Sequence, residues 1–452
     1  DIADKARYSL AWCHIKLGTF DSAVTLLEQL SDNTAAPNRR EAVKNLVDLL
    51  MNLRKFPEAI SWMRKAAIIL GGDEAIEMDY MRGLALSRMG EFPEALEAFR
   101  DFAKRHPKQV RSQEARYQAS LMYITMGKFR EALKELEPLL RREVLPEVRE
   151  KAMYRTGECY LNLGNLKNAR DSFDRVLREY PQGKARLDTL YQLGEVEYQS
   201  GNYAGALEAF RTLGAAGGEV SAQAQFRAGE VLMKAGRYTD AIKDFETYLA
   251  NFGSAPLVDD ARFKIGLCYL ELKDQGKALA AFSQLRESKG YFRQEARFQI
   301  GEIARGLGNY PLAIQQYQAI LAEEPKHPLA SRTRRAIGIC LHLAKDYPAA
   351  ATMFLDILRE YPATDVAVPE SRFWLGKNLI AQGRVEDGIL ELLKVPVLYP
   401  KSPLVTEAYA EAARAYQSQG LTQRAEKMWR ELLKVNNKGP LAEEARGHLK
   451  KP

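Results

Sequence analysis

The stretch YRTGECYLNLGNL at Tyr154–Leu166 recurs in recognisable form along this chain of 452 residues. It aligns without a gap with YQASLMYITMGKF at Tyr117–Phe129, YQLGEVEYQSGNY at Tyr191–Tyr203 and FRAGEVLMKAGRY at Phe226–Tyr238. Each copy has the pattern of a helix, a tight turn and the start of a second helix. Similarity at a fixed period of 20 to 50 residues is typical of repeat architectures, so the sequence predicts an array of helical hairpins.

The turn within this stretch sets a register that continues along the chain. Gly164 is the turn residue of the quoted copy, and equivalent positions follow one another at spacings of 35 to 38 residues. Most of them are Gly, which suits a helix end that needs a left-handed backbone conformation before the chain reverses. The twelve turn positions are Gly18, Arg54, Gly90, Gly127, Gly164, Gly201, Gly236, Lys273, Gly308, Lys345, Gly383 and Gly420.

Further columns predict how the two helices of a hairpin pack. A small residue such as Gly157 stands seven positions before the turn, and Ala stands five positions after it, as at Ala169. Small side chains at both places allow a close approach of the helices, and a larger residue there should overpack the hairpin. We expect the aromatic residue two positions after the turn, such as Phe129, to fill the remaining space. A second large apolar column lies nine positions after the turn, as at Phe173.

These columns resemble the tetratricopeptide repeat family from Ala6 to about Leu433. The period exceeds the usual 34 residues of that family by one to four residues. The resemblance implies an all-α fold, a right-handed superhelical solenoid of about twelve helix-turn-helix repeats within residues 1–439. Residues 440–452 are predicted to form a capping helix and tail, because polar Glu443, Glu444 and Arg446 suit the end of a solenoid.

Composition and charge exclude several classes of protein. The net charge of +7 arises from 66 basic and 59 acidic residues, and both signs are interspersed along every predicted helix. Such mixing is typical of solvated helix faces, so we predict no nucleic-acid partner. No apolar run approaches the roughly 20 residues that span a bilayer, and we predict no transmembrane segment within this chain.

No arrangement of residues predicts catalysis. Cys13, Cys159, Cys268 and Cys340 each stand two residues after the small column, where other repeats have apolar residues, so all four are predicted to be small core residues. None of the five histidines has a partner at the spacing of metal ligands. We therefore predict that the protein is not an enzyme and that it holds no cofactor and no metal.

Binding is the function that such an array supports. One hairpin cannot bury its apolar face alone, so neighbouring repeats stabilise each other and leave a long surface rather than an enclosed cavity. The family resemblance implies a concave groove bordered by an aromatic ladder, three residues before the small column. Rings in a row could hold a peptide or a sugar chain, or they could only pack between hairpins. The ladder comprises Tyr8, Tyr80, Tyr117, Tyr154, Tyr191, Phe226, Phe263, Phe298 and Phe373.

Charged residues next to the ladder suggest two patches of opposite sign, although solvated helix faces are the alternative. The acidic set is Glu158, Glu195, Glu230 and Glu302, and the basic set is Arg262, Arg297, Arg332, Arg334, Arg335 and Arg372. The predicted partner-binding groove is formed by some members of the ladder and of the two charged sets. These are Tyr117, Tyr154, Tyr191, Phe226, Phe263, Phe298, Glu158, Glu195, Glu230, Arg334 and Arg335.

A finer resemblance suggests the setting. The segment Tyr399–Pro403, leading to Glu407–Tyr409, resembles bacterial cell-envelope members of the family, of the barrel-assembly lipoprotein and Tol-Pal coordinator type. This resemblance implies a non-catalytic adaptor that binds a protein segment and is periplasmic or associated with the outer membrane, with the cytoplasm as the alternative. Two other functions stay open: a polysaccharide-export or glycan-binding scaffold, and a non-catalytic arm of a larger enzyme.

Overall fold

The computed structural model describes residues 2–288 and 290–449, and for Glu219 the backbone alone. These residues form 25 α-helices and one short 3-10 helix, and the described ranges contain no strand. The all-α fold predicted from the sequence is confirmed. The chain divides into two compact units, Asp1–Val231 and Leu232–Pro452. The division falls within α13 (Gly218–Lys234).

Odd-numbered helices are the first and even-numbered helices the second of each hairpin. The first unit contains α1 (Ile2–Leu17), α2 (Phe20–Asp32), α3 (Arg39–Asn52), α4 (Phe56–Leu70), α5 (Gly72–Met89), α6 (Phe92–Arg105), α7 (Arg111–Thr125), α8 (Phe129–Leu136), the 3-10 helix (Glu137–Leu140), α9 (Pro146–Asn162), α10 (Leu166–Glu179), α11 (Arg186–Gln199) and α12 (Tyr203–Gly214). The second unit contains α14 (Tyr238–Asn251), α15 (Val258–Glu271), α16 (Gln275–Ser283), α17 (Arg293–Gly306), α18 (Tyr310–Glu323), α19 (Ala330–Leu343), α20 (Tyr347–Glu360), α21 (Ala367–Ala381), α22 (Val385–Leu398), α23 (Val405–Ser418), α24 (Thr422–Val435) and α25 (Pro440–Leu449).

The predicted turns are all present. Each of the twelve turn residues has a positive φ, between 59° and 85°, including the three that are Arg or Lys. At Gly164 the backbone N–H donates to Leu161 O at 2.9 Å, and the N–H of Asn165 donates to Tyr160 O at 2.9 Å. The Asn165 side chain then accepts from the N–H of Asn168 and caps α10. One short segment therefore ends the first helix and starts the second.

The small column faces the second large column, nine residues after the turn. A Cβ at Gly157 would lie 2.5 Å from Cε1 of Phe173, whose side chain is fully buried. The prediction that the ring two residues after the turn fills this space was wrong: Phe129 and its equivalents remain partly exposed at the start of each second helix. In an antiparallel hairpin, residues at similar distances from the turn face each other, so the ninth residue after it is the one that packs against Gly157.

Successive hairpins stack through consecutive helices. Within the first unit, Cα atoms of α7 and α9, and of α9 and α11, come within 8 Å of each other, and within the second unit the same is true of α19 and α21 and of α21 and α23. Successive second helices have fewer Cα atoms within this distance of each other than these first helices have. The first helices therefore lie on the side of each stack where the hairpins are closest together, which we call the inner side.

The predicted closing helix forms α25. It packs against α24 and also contacts α23, so it takes the place of a first helix in a further hairpin. Arg414 of α23 donates to Glu444 at 2.6 Å, and the ring of His448 stacks on Trp429 with centroids 5.2 Å apart. These contacts cover the last second helix.

Candidate protein-binding surface

The ladder rings of the first unit are mostly used for packing within their own hairpins. The ring of Tyr154 lies 5.9 Å from that of Phe173, and the ring of Tyr191 lies 5.9 Å from that of Phe210. Tyr117 is 7% exposed and Phe226 is 5% exposed. Burial, reinforced by the nearby carboxylate of Glu158, raises the pKa of Tyr154. Packing and burial therefore leave these rings little open face for a partner.

The predicted acidic residues of the first unit are paired with arginine. Glu158 accepts from Arg155 one turn earlier in α9, at 2.5 Å. Arg227 of α13 pairs with both Glu230 and Glu195. The distance from its Nη2 atom to Oε1 of Glu195, on α11, is 2.6 Å. The side chains of Glu195, Arg227 and Glu230 are between 18% and 21% exposed. This part of the inner side therefore presents alternating charges that also join neighbouring first helices.

The ladder rings of the second unit are packed in the same way. Phe263 stacks on Phe292 with ring centroids 4.8 Å apart, and it also lies 5.3 Å from Phe282. Phe298 lies 5.5 Å from Tyr317, whose hydroxyl donates to Glu302 at 2.5 Å. A sugar that stacks on an aromatic side chain needs an open ring face, and the stacked face of Phe263 is occupied by Phe292.

The two adjacent arginines of the predicted basic patch are placed differently. Arg334 pairs with Glu360 at the end of α20 and therefore faces the second helix of its own hairpin. Arg335 stands at the ladder position of α19 and pairs with Glu370 of α21 at 2.6 Å. Like Arg334, Arg297 and Arg372 pair with residues of second helices. Arg297 pairs with Glu323, and Arg372 pairs with Glu391. Only Arg335 of the proposed pair thus joins successive first helices.

Sequence reasoning missed a cluster on α19 and α21, formed by His342, Trp374, Lys377 and Asn378, which we call the Trp374 cluster. The rings of His342 and Trp374 are 5.3 Å apart, and Lys377 Nζ lies 5.0 Å from the Trp374 ring. The side chain of Asn378 is fully buried: its amide donates to Tyr347 O at 2.8 Å, and its carbonyl oxygen lies 3.0 Å from His342 Nδ1. The sequence does contain a sign of this cluster. Asn378 is polar, whereas the other repeats have mostly apolar residues at this position, two residues after the small column.

Three of the four cysteines occupy the predicted core. Cys159, Cys268 and Cys340 are buried, but Cys13 is exposed, so that part of the prediction was wrong. Within residues 2–288 and 290–449, no cluster of His, Cys, Asp or Glu could hold a metal ion. No helix in these ranges is both long and apolar enough to cross a membrane.

The sequence profile of the tetratricopeptide repeat family matches residues 5–74, 80–123, 117–184, 191–256, 226–291 and 298–365. The chain belongs to the tetratricopeptide repeat family. No curated protein matches it. Among solved structures, it is similar to a tetratricopeptide repeat protein from Parabacteroides merdae, with 16% identity, coverage of 67% of this chain and 99% of that chain, and a TM-score of 0.39.

Two other solved structures are similar to this tetratricopeptide repeat protein. The C-terminal part of a TPR repeat-containing protein from Cytophaga hutchinsonii has 20% identity, covers 58% of this chain and 100% of its own, and has a TM-score of 0.45. The APC/C hetero-tetramer Cut9-Hcn1 has 12% identity, covers 94% of this chain and 99% of its own, and has a TM-score of 0.38.

Family membership establishes the general role. Tetratricopeptide repeats bind protein partners, and this chain is a protein-interaction scaffold. Such folds are generally non-catalytic, because stacked hairpins provide an extended surface rather than an enclosed site. The inner first-helix side, with its ladder rings, alternating charges and Trp374 cluster, is the candidate surface for partner binding.

Proposed function

We propose that the protein is an adaptor in a bacterial envelope assembly and that it binds a segment of a partner protein on the inner side of its first helices. In the first unit the proposed surface comprises the rings of Tyr117, Tyr154, Tyr191 and Phe226 with Glu158, Glu195 and Glu230. In the second unit it comprises Phe263, Phe298 and Arg335 with the Trp374 cluster, whereas Arg334 supports the surface from behind.

The Trp374 cluster is the observation that carries this proposal. Trp is enriched among residues that dominate binding energy, and such residues sit beside polar groups that fix orientation. Here the indole is only partly buried, and Lys377 and His342 lie against it. Beneath it, buried Asn378 joins α21 to His342 of α19 and to the backbone of Tyr347 at the start of α20. The arrangement provides an aromatic anchor for an apolar residue of the partner. An acidic residue next to it would compete with Glu411 of α23 for Lys377, since these two side chains are paired at 3.3 Å.

The envelope setting has separate support. It is favoured by the likeness of Tyr399–Pro403 to envelope members of the family, and the compartment we propose is the periplasm or the outer membrane. Fractionation of cells that express the tagged full-length gene tests the compartment. Recovery of the protein with cytoplasmic markers alone would reject this setting without affecting the binding surface.

Site-directed photo-crosslinking tests the surface. A photoreactive residue replaces Ala381, which is exposed one turn beyond Lys377 on α21, and in a matched variant it replaces Lys427, which is exposed on second helix α24. Both chains are irradiated in the bacterial envelope fraction. We expect a discrete protein adduct from position 381 and none from position 427.

Substitutions then link the adduct to the cluster. Lys377→Glu and Trp374→Ala should each reduce the adduct from position 381 at least fivefold, whereas Lys427→Glu should leave it unchanged. Circular dichroism checks that each variant retains its helix content. An adduct that is equally strong from both crosslinker positions, or that is insensitive to Lys377→Glu, would contradict the proposal.

A further inference from the structure

The second helices turn one face away from the first helices, and we call this face the outer side. Three positions of each repeat lie on it, seven, ten and fourteen residues after the turn, because residues three or four apart share a helix face. Nearly all repeats have polar residues or Ala at these positions. The exceptions are Ile68, Leu355, Leu390, Leu393 and Val397.

Four of these exceptions lie in two neighbouring hairpins of the second unit. We call Leu355 of α20 and Leu390, Leu393 and Val397 of α22 the outer patch. Leu355 is 54%, Leu390 57% and Val397 75% exposed, and Leu393 is partly exposed. The hairpins before and after α22 are both in place, and neither covers this face. A group of large apolar side chains on the side of the stack is typical of an interaction surface.

The charges along α22 indicate what covers the patch. In the middle of the helix, Lys394 pairs with Glu391 at 2.5 Å and is not open to a partner. Glu386 and Lys401, near the two ends, are exposed, and within residues 2–288 and 290–449 neither has an ion-pair partner. The apolar stripe of α22 therefore has an open negative charge at one end and an open positive charge at the other.

Such a stripe complements itself when two copies pack antiparallel. In a contact with two-fold symmetry, the residue that faces j on the other copy is itself faced by j. When Leu390 faces Val397 of the second copy, Glu386, four residues before Leu390, faces Lys401, four residues after Val397. Leu393 then lies next to the two-fold axis and faces its own counterpart. One arrangement thus covers the apolar stripe and pairs both open charges.

We propose that the outer patch is the interface of a homodimer in which two α22 helices pack antiparallel. The interface is on the outer side, so the dimer leaves the inner side open, and it does not depend on the function proposed above. Four partly exposed side chains provide less area than the roughly 800 Å² per partner of a standard interface. The dimer should therefore be weak, with a dissociation constant of about 10 to 100 μM.

Sedimentation velocity of the full chain tests the association. Between about 1 and 200 μM we expect the weight-average sedimentation coefficient to rise from that of a monomer towards that of a dimer. Leu390→Asp should weaken the association by about tenfold or more, because it places a charge in the apolar contact. Ile68→Asp is the matched control, at the 87% exposed outer residue of α4, and should leave the association unchanged. Circular dichroism checks that both variants are folded.

Charge reversal tests the antiparallel register. Glu386→Lys and Lys401→Glu should each weaken the dimer, because each places like charges opposite one another. The double variant Glu386→Lys, Lys401→Glu exchanges the two signs, so it should associate as the wild type does. A merely structural role of either residue would give additive losses instead.

Cysteine crosslinking tests the same register in a Cys13→Ser background, which removes the exposed native thiol. A mixture of the Leu390→Cys chain and the Val397→Cys chain should form an intermolecular disulfide faster than either chain alone. In the mixture the two thiols face each other, whereas two copies of one variant hold them about 10 Å apart along the helix axis, too far for a disulfide.

Three outcomes would overturn the proposal. A chain that stays monomeric up to about 200 μM would leave the patch to another molecule. A dimer that Leu390→Asp leaves intact would have its interface elsewhere. A double charge variant that is no better than the single ones, together with equal disulfide formation in mixed and unmixed samples, would refute the antiparallel pairing of α22.

Discussion

Gly157→Ala should destabilise the hairpin of α9 and α10 although Ala favours helices. The new Cβ would lie 2.5, 2.7 and 2.8 Å from three atoms of the Phe173 ring, well inside the usual contact distance of about 3.5 to 4.0 Å. The ring is fully buried against Ala169 and Val196, so it can move only if these neighbours move as well. Overpacking of this kind lowers the free energy of unfolding by about 1 to 3 kcal/mol. The higher helix propensity of Ala raises it by about 1 kcal/mol.

Because three ring atoms are overlapped, we expect a net loss of about 1 to 2 kcal/mol in the free energy of unfolding. Gly306→Ala is the matched control: its Cβ would meet nothing within 4 Å, so it should be stabilising by about 0.4 to 1 kcal/mol. Urea unfolding followed by circular dichroism measures both changes. Long repeat arrays can unfold in parts, so hydrogen exchange should show whether the loss caused by Gly157→Ala is confined to α9 and α10.

A second substitution shows whether the ring is the cause. In two hairpins of this chain a small-column residue larger than Gly has an aliphatic partner: Ser120 has Leu136 and Val47 has Met63. Ala413, whose partner is Trp429, is the exception. The double variant Gly157→Ala, Phe173→Leu should therefore show a favourable coupling of at least about 0.5 kcal/mol. If Gly157→Ala is as stabilising as Gly306→Ala, or if the two substitutions are additive, the packing explanation is refuted.

Three further predictions concern the turn, a buried carboxylate and the thiols. Lys345 has a φ of 67°, so Lys345→Gly should raise the free energy of unfolding by about 1 kcal/mol, whereas Gly164→Ala should lower it by a similar amount in the same urea assay. Burial alone would raise the pKa of Glu302, but hydrogen bonds from Arg305 and Tyr317 outweigh it and hold that pKa below the usual 4.5. Its contribution is therefore present above pH 4.5 and lost as the pH falls through the lowered pKa, so the stability difference between the wild type and Glu302→Gln should shrink between pH 7 and pH 3. Under native conditions at pH 8, mass spectrometry after brief alkylation should find one modified thiol, and Cys13→Ser should abolish it.

The local features of the hairpin could be predicted from the sequence because the interactions that set them are local. The turn after Leu163 follows from the need for a left-handed residue where a helix ends, and it is found even at Lys273, where the residue is not Gly. The ends of α10, α20 and α22 also follow, because a Pro lies two residues beyond each. These features depend on the backbone of one segment and not on its neighbours.

Contacts between helices were less predictable. Arg334 and Arg335 are adjacent in sequence, but successive side chains on a helix point about 100° apart. One therefore reaches a second helix and the other reaches the first helix of the next hairpin. Likewise, the column of Cys13 predicts burial, but burial requires a preceding second helix, and that is a property of the neighbouring element rather than of the column.

The use of the ladder rings in packing changes where binding energy can come from. A ring such as Phe226 is already buried, so a partner gains little apolar area by covering its edge. The carboxylates of Glu195 and Glu230 already have Arg227, so an incoming cation would compete with an existing ion pair and not neutralise an open charge. The indole of Trp374 is still partly exposed, although its neighbour Lys377 already pairs with Glu411 of α23 at 3.3 Å. The inner side should therefore bind through a small anchor in the second unit, and the rings and ion pairs elsewhere should act mainly by keeping that side rigid.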